Sequence, residues 1–494
     1  MVHSGNIKGS SSKSSIRLFL SMVTILFVLW VLWIFGSGDK TVLTLLTSSL
    51  NAIVLTSIII IYLCLSVVQN LKNNRIGPTY LRPASIFLSL FFLYIIWGIA
   101  THFIIVAFLH DYEPKITEAV IYSNLGVISF LLGYLFWKAI RPKKQLPSLL
   151  ENKNVLIEWN LPRLRNAIIF TSLFTIGGTC VTFYKLGGIP VFLPGGVGNV
   201  NPLIGESIKG IYVQLHYYNS IVIFLSAVYL MKNPRDIIVM IIGMLACFAS
   251  LGYGGRYAFV LPLVTGYFIY NHYVKEIKFR RAIIAFILIV SAMLAYGWWR
   301  NRLLGATSFA GVQGEEPDVI ITIGNAFTEL GDFGLWIKEF TYEGPSYLGL
   351  ILIIGGIMAA FPKQIWALVG IDKERYLINS AYLTGTALYR QSYTGIRIGY
   401  IGELYISFGI IGIIIGMGIF GIIFASLDNK LLSSGSKSAQ VALIYYVTFV
   451  LTFALIGHFQ GVVASLTYYG FVVYVVYYYA TKKTSEKNSR FFLS

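Results

Sequence analysis

The sequence is short of charged residues, and of acidic residues above all. Only 12% of its 494 residues are charged, and 21 Asp and Glu stand against 38 Lys and Arg. Hydrophobic residues make up 56% of the chain, and the mean hydropathy is +0.72. This balance excludes an ordinary soluble globular domain, which is far more polar. It predicts an all-α polytopic membrane protein.

Cysteine and the common catalytic signatures are scarce too. Cys64, Cys180 and Cys247 lie in apolar stretches, without the spacing of a metal site or a disulfide. The sequence contains no HExxH, P-loop or GxSxG motif, so it gives no support to hydrolase or ATPase chemistry. We therefore expect no metal and no cofactor. The net charge of +17 is spread over short loops between apolar runs, which argues against nucleic acid as a partner.

Apolar runs long enough to cross a bilayer recur along the chain. Twelve are predicted, at about 18–35, 42–68, 84–108, 116–138, 166–184, 210–230, 237–254, 257–274, 282–299, 401–426, 439–458 and 462–480. If they alternate from a cytoplasmic N-terminus, the basic loops all fall inside, as the positive-inside rule requires. The sequence thus predicts a single integral membrane domain over residues 1–494, with about twelve transmembrane helices and both termini cytoplasmic.

Residues 300–400 form the longest segment without a predicted span, and parity makes them a large external loop. Within the loop, the apolar stretch from Leu348 to Phe361 is short for a crossing, and Pro362 and Lys363 follow it. A crossing there would also move the basic loop at 428–437 to the outside. We therefore expect a re-entrant or surface helix.

Arginine is rare in the parts of the chain that are predicted to be external. Arg256, Arg300 and Arg397 all fall at outer ends of predicted spans, and Arg302 and Arg390 lie nearby in the chain. Guanidinium groups bind phosphate and diphosphate in a bidentate manner. The group therefore predicts an anion site at the membrane surface, with Arg302 and Arg390 as secondary contacts. The alternative is that each arginine snorkels to lipid headgroups or balances a loop carboxylate.

Two carboxylates could act beside these arginines. Glu403 lies at the mouth of an apolar segment, and Glu329 lies in the external loop. Either could orient or deprotonate an acceptor hydroxyl, although Glu403 could instead neutralise Arg397, and Glu329 could lie on a solvated face. Tyrosines close to the arginines, Tyr393 and Tyr400 among them, offer rings for stacking on sugars.

Several motifs in order resemble a known family. They are YKLGGIPVF at 184–192, GYGGRYAFVLPLVTGYFIY at 252–270, GPSYLGLILII and FPKQIW in the external loop, and GYIGELYISFGIIGIIIGM at 399–417. Together they resemble the oligosaccharide repeat unit polymerases, the O-antigen polymerases of the Wzy type. The resemblance covers roughly residues 165–430, and the first four spans match only as generic apolar helices.

The resemblance implies an enzyme of the bacterial cytoplasmic membrane. Such enzymes join repeat units carried on undecaprenyl diphosphate into O-antigen, capsular or exopolysaccharide at the outer face. The implied fold is similar to that of the C-type glycosyltransferases, the chemistry is metal-independent, and a chain-length regulator is a candidate partner. The resemblance implies Arg256, from the motif at 252–270, and Arg397 and Glu403, from the region of the motif at 399–417, as site residues.

Three other functions remain open at this point. An O-antigen ligase shares the architecture and differs only in its acceptor. A flippase for the same lipid-linked oligosaccharide would have about twelve spans, but it should show two repeated halves, and no clear internal repeat is visible. A solute transporter would need charged residues in mid-span, and the predicted spans are nearly free of them.

Overall fold

The computed structural model describes the chain in ten stretches, 82–108, 115–140, 155–192, 218–252, 256–275, 349–359, 363–371, 398–434, 438–453 and 466–485. It also describes isolated positions at 281, 284, 288, 291, 292, 295, 330, 333, 334, 336, 337 and 463. The first two predicted spans lie outside the described residues.

Helices dominate the described stretches. They are α1 (Pro83–Phe108), α2 (Ile116–Ile140), α3 (Leu161–Lys185), α4 (Asn219–Lys232), α5 (Ile237–Gly252), α6 (Arg256–Tyr273), α7 (Ile351–Ala359), α8 (Lys363–Leu368), α9 (Gly399–Ser433), α10 (Ala439–Phe453) and α11 (Phe471–Ala480). A 3-10 turn, Pro190–Phe192, follows α3, and a π-helical turn, Leu466–Gly470, precedes α11. The bounds of α1, α2 and α5 fall within two residues of the expected runs, because uninterrupted apolar runs mark helices of spanning length well.

Three helices in the described part of the chain are long and apolar enough to cross a membrane: α2, α3 with the turn after it (Leu161–Phe192), and α9. The chain is therefore a multi-pass helical membrane protein. The total of twelve spans stays a prediction.

A two-stranded antiparallel ribbon joins distant parts of the chain. Its strands, β1 (Val155–Trp159) and β2 (Thr481–Ser485), were expected to be a basic loop and a tail. The Trp159 indole donates to the Tyr273 hydroxyl at 3.1 Å, and that hydroxyl donates to the Ser438 carbonyl at 2.9 Å. The ribbon thus gathers the ends of α3, α6, α10 and α11, and we call this end of the bundle the ribbon end.

Asp236 fixes α3, α4 and α5 to one another at the ribbon end. Its carboxylate accepts from Arg165 at 2.7 Å, from the Tyr229 hydroxyl at 2.9 Å and from the Val239 amide at 3.2 Å. Burial by itself would raise the pKa of this carboxyl, but the three donors outweigh it and the pKa is lowered. The bond to Val239 also caps the start of α5.

Basic residues gather at the ribbon end. They include Arg82, Lys138, Arg163, Arg165, Lys232, Arg235, Lys482 and Lys483, at or next to the helix ends and strands that meet there. Several lie over aromatic rings, as Lys232 does over Tyr273 at 4.8 Å from the ring centroid.

Helix α9 is a hairpin of two arms, and not the single span expected at about 401–426. Gly409 breaks it with φ 65° and ψ −151°, a conformation that essentially only glycine adopts. The rings of Tyr400 and Phe420 lie 4.4 Å apart, whereas twenty residues of straight helix would separate them by about 30 Å. A short arm, 399–408, therefore folds back along a long arm, 410–433.

Glycines allow the close packing of this hairpin. A Cβ on Gly412 would collide with the Leu404 carbonyl oxygen of the short arm, and one on Gly416 would lie 2.5 Å from Leu404 Cδ2. Further along, a Cβ on Gly421 would collide with the Phe130 carbonyl of α2. Small residues let helix backbones approach in this way in membranes.

The short arm runs antiparallel to α2. The rings of Tyr405 and Tyr122 stack at 4.6 Å, and Ile401 contacts Gly126. The residue numbers of the short arm therefore rise as those of α2 fall.

The long arm runs parallel to α2 and reaches the ribbon end. There Asp428, fully buried, accepts from the Tyr134 hydroxyl of α2 and from the Ala84 amide at the start of α1, the latter at 3.1 Å. Gly409 therefore marks the opposite end, which we call the hairpin end.

Candidate functional site

Three faces of the short arm are covered by identified neighbours. With 100° between successive residues, Ile401 and Tyr405 form the face on α2, and Tyr400 and Leu404 form the face on the long arm. A third face is presented by Gly402, whose Cβ would lie 3.1 Å from the Phe333 ring.

Glu403 lies on the side of the short arm that faces away from α2. It is 3% exposed, and about six residues, or about 9 Å of helix, separate it from the tip at Gly409. Ser407, one turn closer to the tip on the same side, accepts a backbone hydrogen bond from Gly349 at 2.9 Å. Gly349, a member of the GPSYLGLILII motif, therefore lies against the short arm one turn from Glu403. A carboxylate removed from water in this way is expensive unless it is partnered or functional.

A helical piece of the 300–400 region packs against the short arm. We call it the loop helix, and its described members are Leu330, Phe333, Gly334, Trp336 and Ile337. Leu330 and Phe333 are completely buried, and Ile337 is 3% exposed. The spacing of these three, i, i+3 and i+7, is that of one helix face.

The loop helix is also held by the first described helices. The Cβ of Leu330 lies 2.6 Å from the position that a Cβ on Gly98 of α1 would take. The Lys115 amide, next to the start of α2, donates to the Gly334 carbonyl at 3.0 Å. Glu329, which directly precedes Leu330 in the sequence, lies outside the described residues.

Arg256 is the first residue of α6 and lies at the hairpin end, because α6 finishes at the ribbon end. Gly252, four residues before it in the chain, lies where a Cβ would be 2.8 Å from Ile189 and 3.2 Å from Phe183. The YKLGGIPVF and GYGGRYAF motifs therefore touch. Arg256 and Glu403 share one end of the bundle, on different groups of helices.

The other predicted site residues are not part of the described structure. They are Arg300, Arg302, Glu329, Arg390, Tyr393 and Arg397. Of the predicted carboxylates and tyrosines, Tyr400 and Glu403 are described, both buried on the short arm. Within the described stretches, no group of three or more His, Cys, Asp or Glu is arranged to hold a metal ion.

Sequence reasoning missed Tyr122, which lies beside this site, and Asp428, which lies at the opposite, ribbon end. Tyr122, which stacks on Tyr405 and lies 6.2 Å from the Phe333 ring, has no local signal, since it sits in a generic apolar helix. Asp428, which anchors the long arm, had one, because a carboxylate at the end of an apolar run is unusual.

These features define a multi-pass helical membrane protein whose α9 hairpin buries a carboxylate near one face of the bundle. A family model, O-antigen polysaccharide polymerase Wzy, matches residues 16–489. The chain belongs to this family, as the motifs indicated. No curated protein and no solved structure matches it.

Proposed function

We propose that the protein polymerises undecaprenyl-diphosphate-linked oligosaccharide repeat units at the outer face of the bacterial cytoplasmic membrane. The observation that carries the proposal is the buried Glu403, held on a re-entrant arm at the same end of the bundle as Arg256, in a chain of the Wzy family. Membership of this family implies repeat unit polymerisation. The lipid carrier, the site and the sidedness are our additions.

The ribbon end is assigned to the cytoplasm. Basic residues gather there, and cytoplasmic ends of membrane proteins are enriched in Lys and Arg. The hairpin end then faces outward, with the tip of α9 and the start of α6. A carboxylate about 9 Å below the tip can reach a substrate whose diphosphate lies at headgroup depth.

The proposed reaction is a glycosyl transfer without a metal. The bond between the anomeric carbon of the growing glycan and its diphosphate breaks, and a bond to a hydroxyl of the incoming unit forms. Undecaprenyl diphosphate leaves with the charge that builds up on it, and Arg256, Arg300 and Arg397 stabilise that charge. Glu403 or Glu329 orients the acceptor hydroxyl and takes its proton.

Further contacts complete the proposed site. Arg302 and Arg390 are assigned to the diphosphate as secondary partners, and Tyr393 and Tyr400 to the sugars. The hydrocarbon tail lies between helices, where the apolar surface of the bundle is exposed.

The test is the glycan ladder of cells that carry Arg256→Ala, Arg397→Ala or Glu403→Gln in place of the natural chain. We expect single repeats instead of a ladder, at a membrane protein level that immunoblotting shows to be normal. Arg163→Ala, which removes an arginine at the ribbon end, is the matched control and should keep the ladder.

Other outcomes point elsewhere. An unchanged ladder in all three variants would refute the site. Full-length polymer that no longer reaches its final acceptor would indicate a ligase. Repeat units that accumulate on the cytoplasmic leaflet would indicate a flippase.

A further inference from the structure

We propose that Gly98 of α1 is a positioning residue for the transfer reaction. The proposal rests on the proposed function and gives a role to a helix whose sequence is generic. By this inference, the lack of a side chain at Gly98 sets where the loop helix lies, and the loop helix in turn sets the place of Glu403 on the short arm.

The first step is the contact of Gly98 with Leu330. A Cβ at residue 98 would lie 2.6 Å from Leu330 Cβ, 2.9 Å from its Cδ2 and 3.3 Å from its Cγ. Carbon atoms in contact normally lie about 3.5–4.0 Å apart. The position of the Leu330 Cβ follows its backbone, so a rotamer change cannot relieve the overlap. The loop helix would have to move by about 1 Å.

The second step is the contact of the same loop helix with the short arm. Phe333 lies one turn from Leu330 and against Gly402, whose Cβ would be 3.1 Å from its ring. Phe333 is completely buried, and its ring lies 5.8 Å from that of Tyr405. A displacement at Leu330 is therefore transmitted to the residue that precedes Glu403.

The third step is the place of Glu403 on the short arm. Glu403 is 3% exposed and is bonded to Gly402, against which Phe333 packs. A proposed acceptor-orienting carboxylate is thus the immediate neighbour of a residue in this chain of contacts. A misplacement of about 1 Å at reacting groups costs up to about a hundredfold in rate, while binding of a large substrate elsewhere is little affected.

The experiment compares variants of the full-length protein, purified and supplied with an undecaprenyl-diphosphate-linked repeat unit. We expect Gly98→Ala to lower kcat by about tenfold to a hundredfold with KM changed less than threefold. Gly98→Ala combined with Leu330→Gly removes the overlap, and the kcat of this double variant should be at least tenfold higher than that of Gly98→Ala. Gly177→Ala in α3, where a Cβ would meet nothing within 4 Å, is the control.

Leu330→Ala separates positioning from stability. It empties part of the core but keeps the Cβ, so it should lower the melting temperature more than Gly98→Ala does and reduce kcat per folded molecule less. Rates that follow the melting temperatures, or no recovery in the double variant, would overturn the inference. If Gly98→Ala does not fold, the kcat of the double variant relative to Leu330→Gly alone decides: equal or higher values support the inference, and a tenfold lower value refutes it.

The two proposals fail in different ways. If the natural protein does not extend the lipid-linked unit at all, the proposed function is wrong. If it does, and Gly98→Ala is as active as Gly177→Ala, only the positioning role is wrong.

Discussion

Replacing Gly412 by alanine should force the two arms of α9 apart. The new methyl group would collide with the Leu404 carbonyl oxygen, a backbone atom that cannot turn away. Overpacking costs about 1–3 kcal/mol, and a collision with backbone belongs at the upper end of that range. Alanine is favoured over glycine in a helix by about 1 kcal/mol, so we expect a net loss of about 2 kcal/mol in the free energy of unfolding.

Two other glycines give a graded comparison. In Gly416→Ala, the new methyl group would lie 2.5 Å from Leu404 Cδ2, the end of a flexible side chain. The free-energy cost of this contact should therefore nearly cancel the gain from the preference of helices for alanine. Gly177→Ala meets nothing within 4 Å and should be stabilised by up to about 1 kcal/mol. Unfolding titrations from mild detergent into SDS should rank Gly177→Ala above Gly416→Ala above Gly412→Ala.

A cysteine pair tests the same geometry directly. Cysteines in place of Leu404 and Gly416 should form a disulfide upon mild oxidation, in a chain whose natural cysteines are replaced by alanine. Twelve residues of straight helix would hold them about 18 Å apart, far beyond the reach of a disulfide. No crosslink, together with equal stability of Gly412→Ala and Gly177→Ala, would refute the hairpin.

Three further predictions concern other contacts. Tyr134→Phe removes the hydroxyl that donates to buried Asp428 and should cost about 1–3 kcal/mol in SDS unfolding; a loss below 0.5 kcal/mol, on the order of measurement error, would contradict this. Asp236→Ala should cost about 1–2 kcal/mol. The pKa of Asp236 is lower in the folded protein than in the unfolded chain. The carboxylate therefore stabilises the fold fully when the pH is above its unfolded pKa, and this stabilisation is lost as the pH falls through its folded pKa. The natural protein should thus lose stability below about pH 4 more steeply than the variant. Gly252→Ala should push Ile189 away from the end of α5, close to Arg256 in the chain, and shorten the glycan ladder at normal protein level; an unaltered ladder would show that this contact does not matter.

Hydropathy located the helices because it measures the burial of a run in a bilayer. It placed α1, α2 and α5 to within two residues, yet it took α9 for one span. Both arms of the hairpin are apolar, and a fold-back between them changes neither composition nor length. The glycines at 409, 412 and 416 were the available signal. A positive φ needs glycine at 409, and the close approach of Leu404 needs glycine at 412 and 416. The ribbon was missed because five-residue strands in a basic loop and a tail carry no periodic signal.

The candidate site was predictable in part. Glu403 stood out because a carboxylate next to an apolar run is costly, and the structure describes it as buried on the short arm. The packing around the short arm was not predictable, because Tyr122 and Phe333, which contact it, and Gly98, which contacts the loop helix, are far apart in sequence. Only the fold brings these parts of the chain together.

The most direct measurement of the central claim uses the purified protein in liposomes with an undecaprenyl-diphosphate-linked repeat unit as its only substrate. We expect products that grow by whole repeats, with one undecaprenyl diphosphate released for each bond formed, and loss of both in Glu403→Gln and Arg256→Ala. Repeat units that stay single, or that cross the bilayer without being joined, would contradict it.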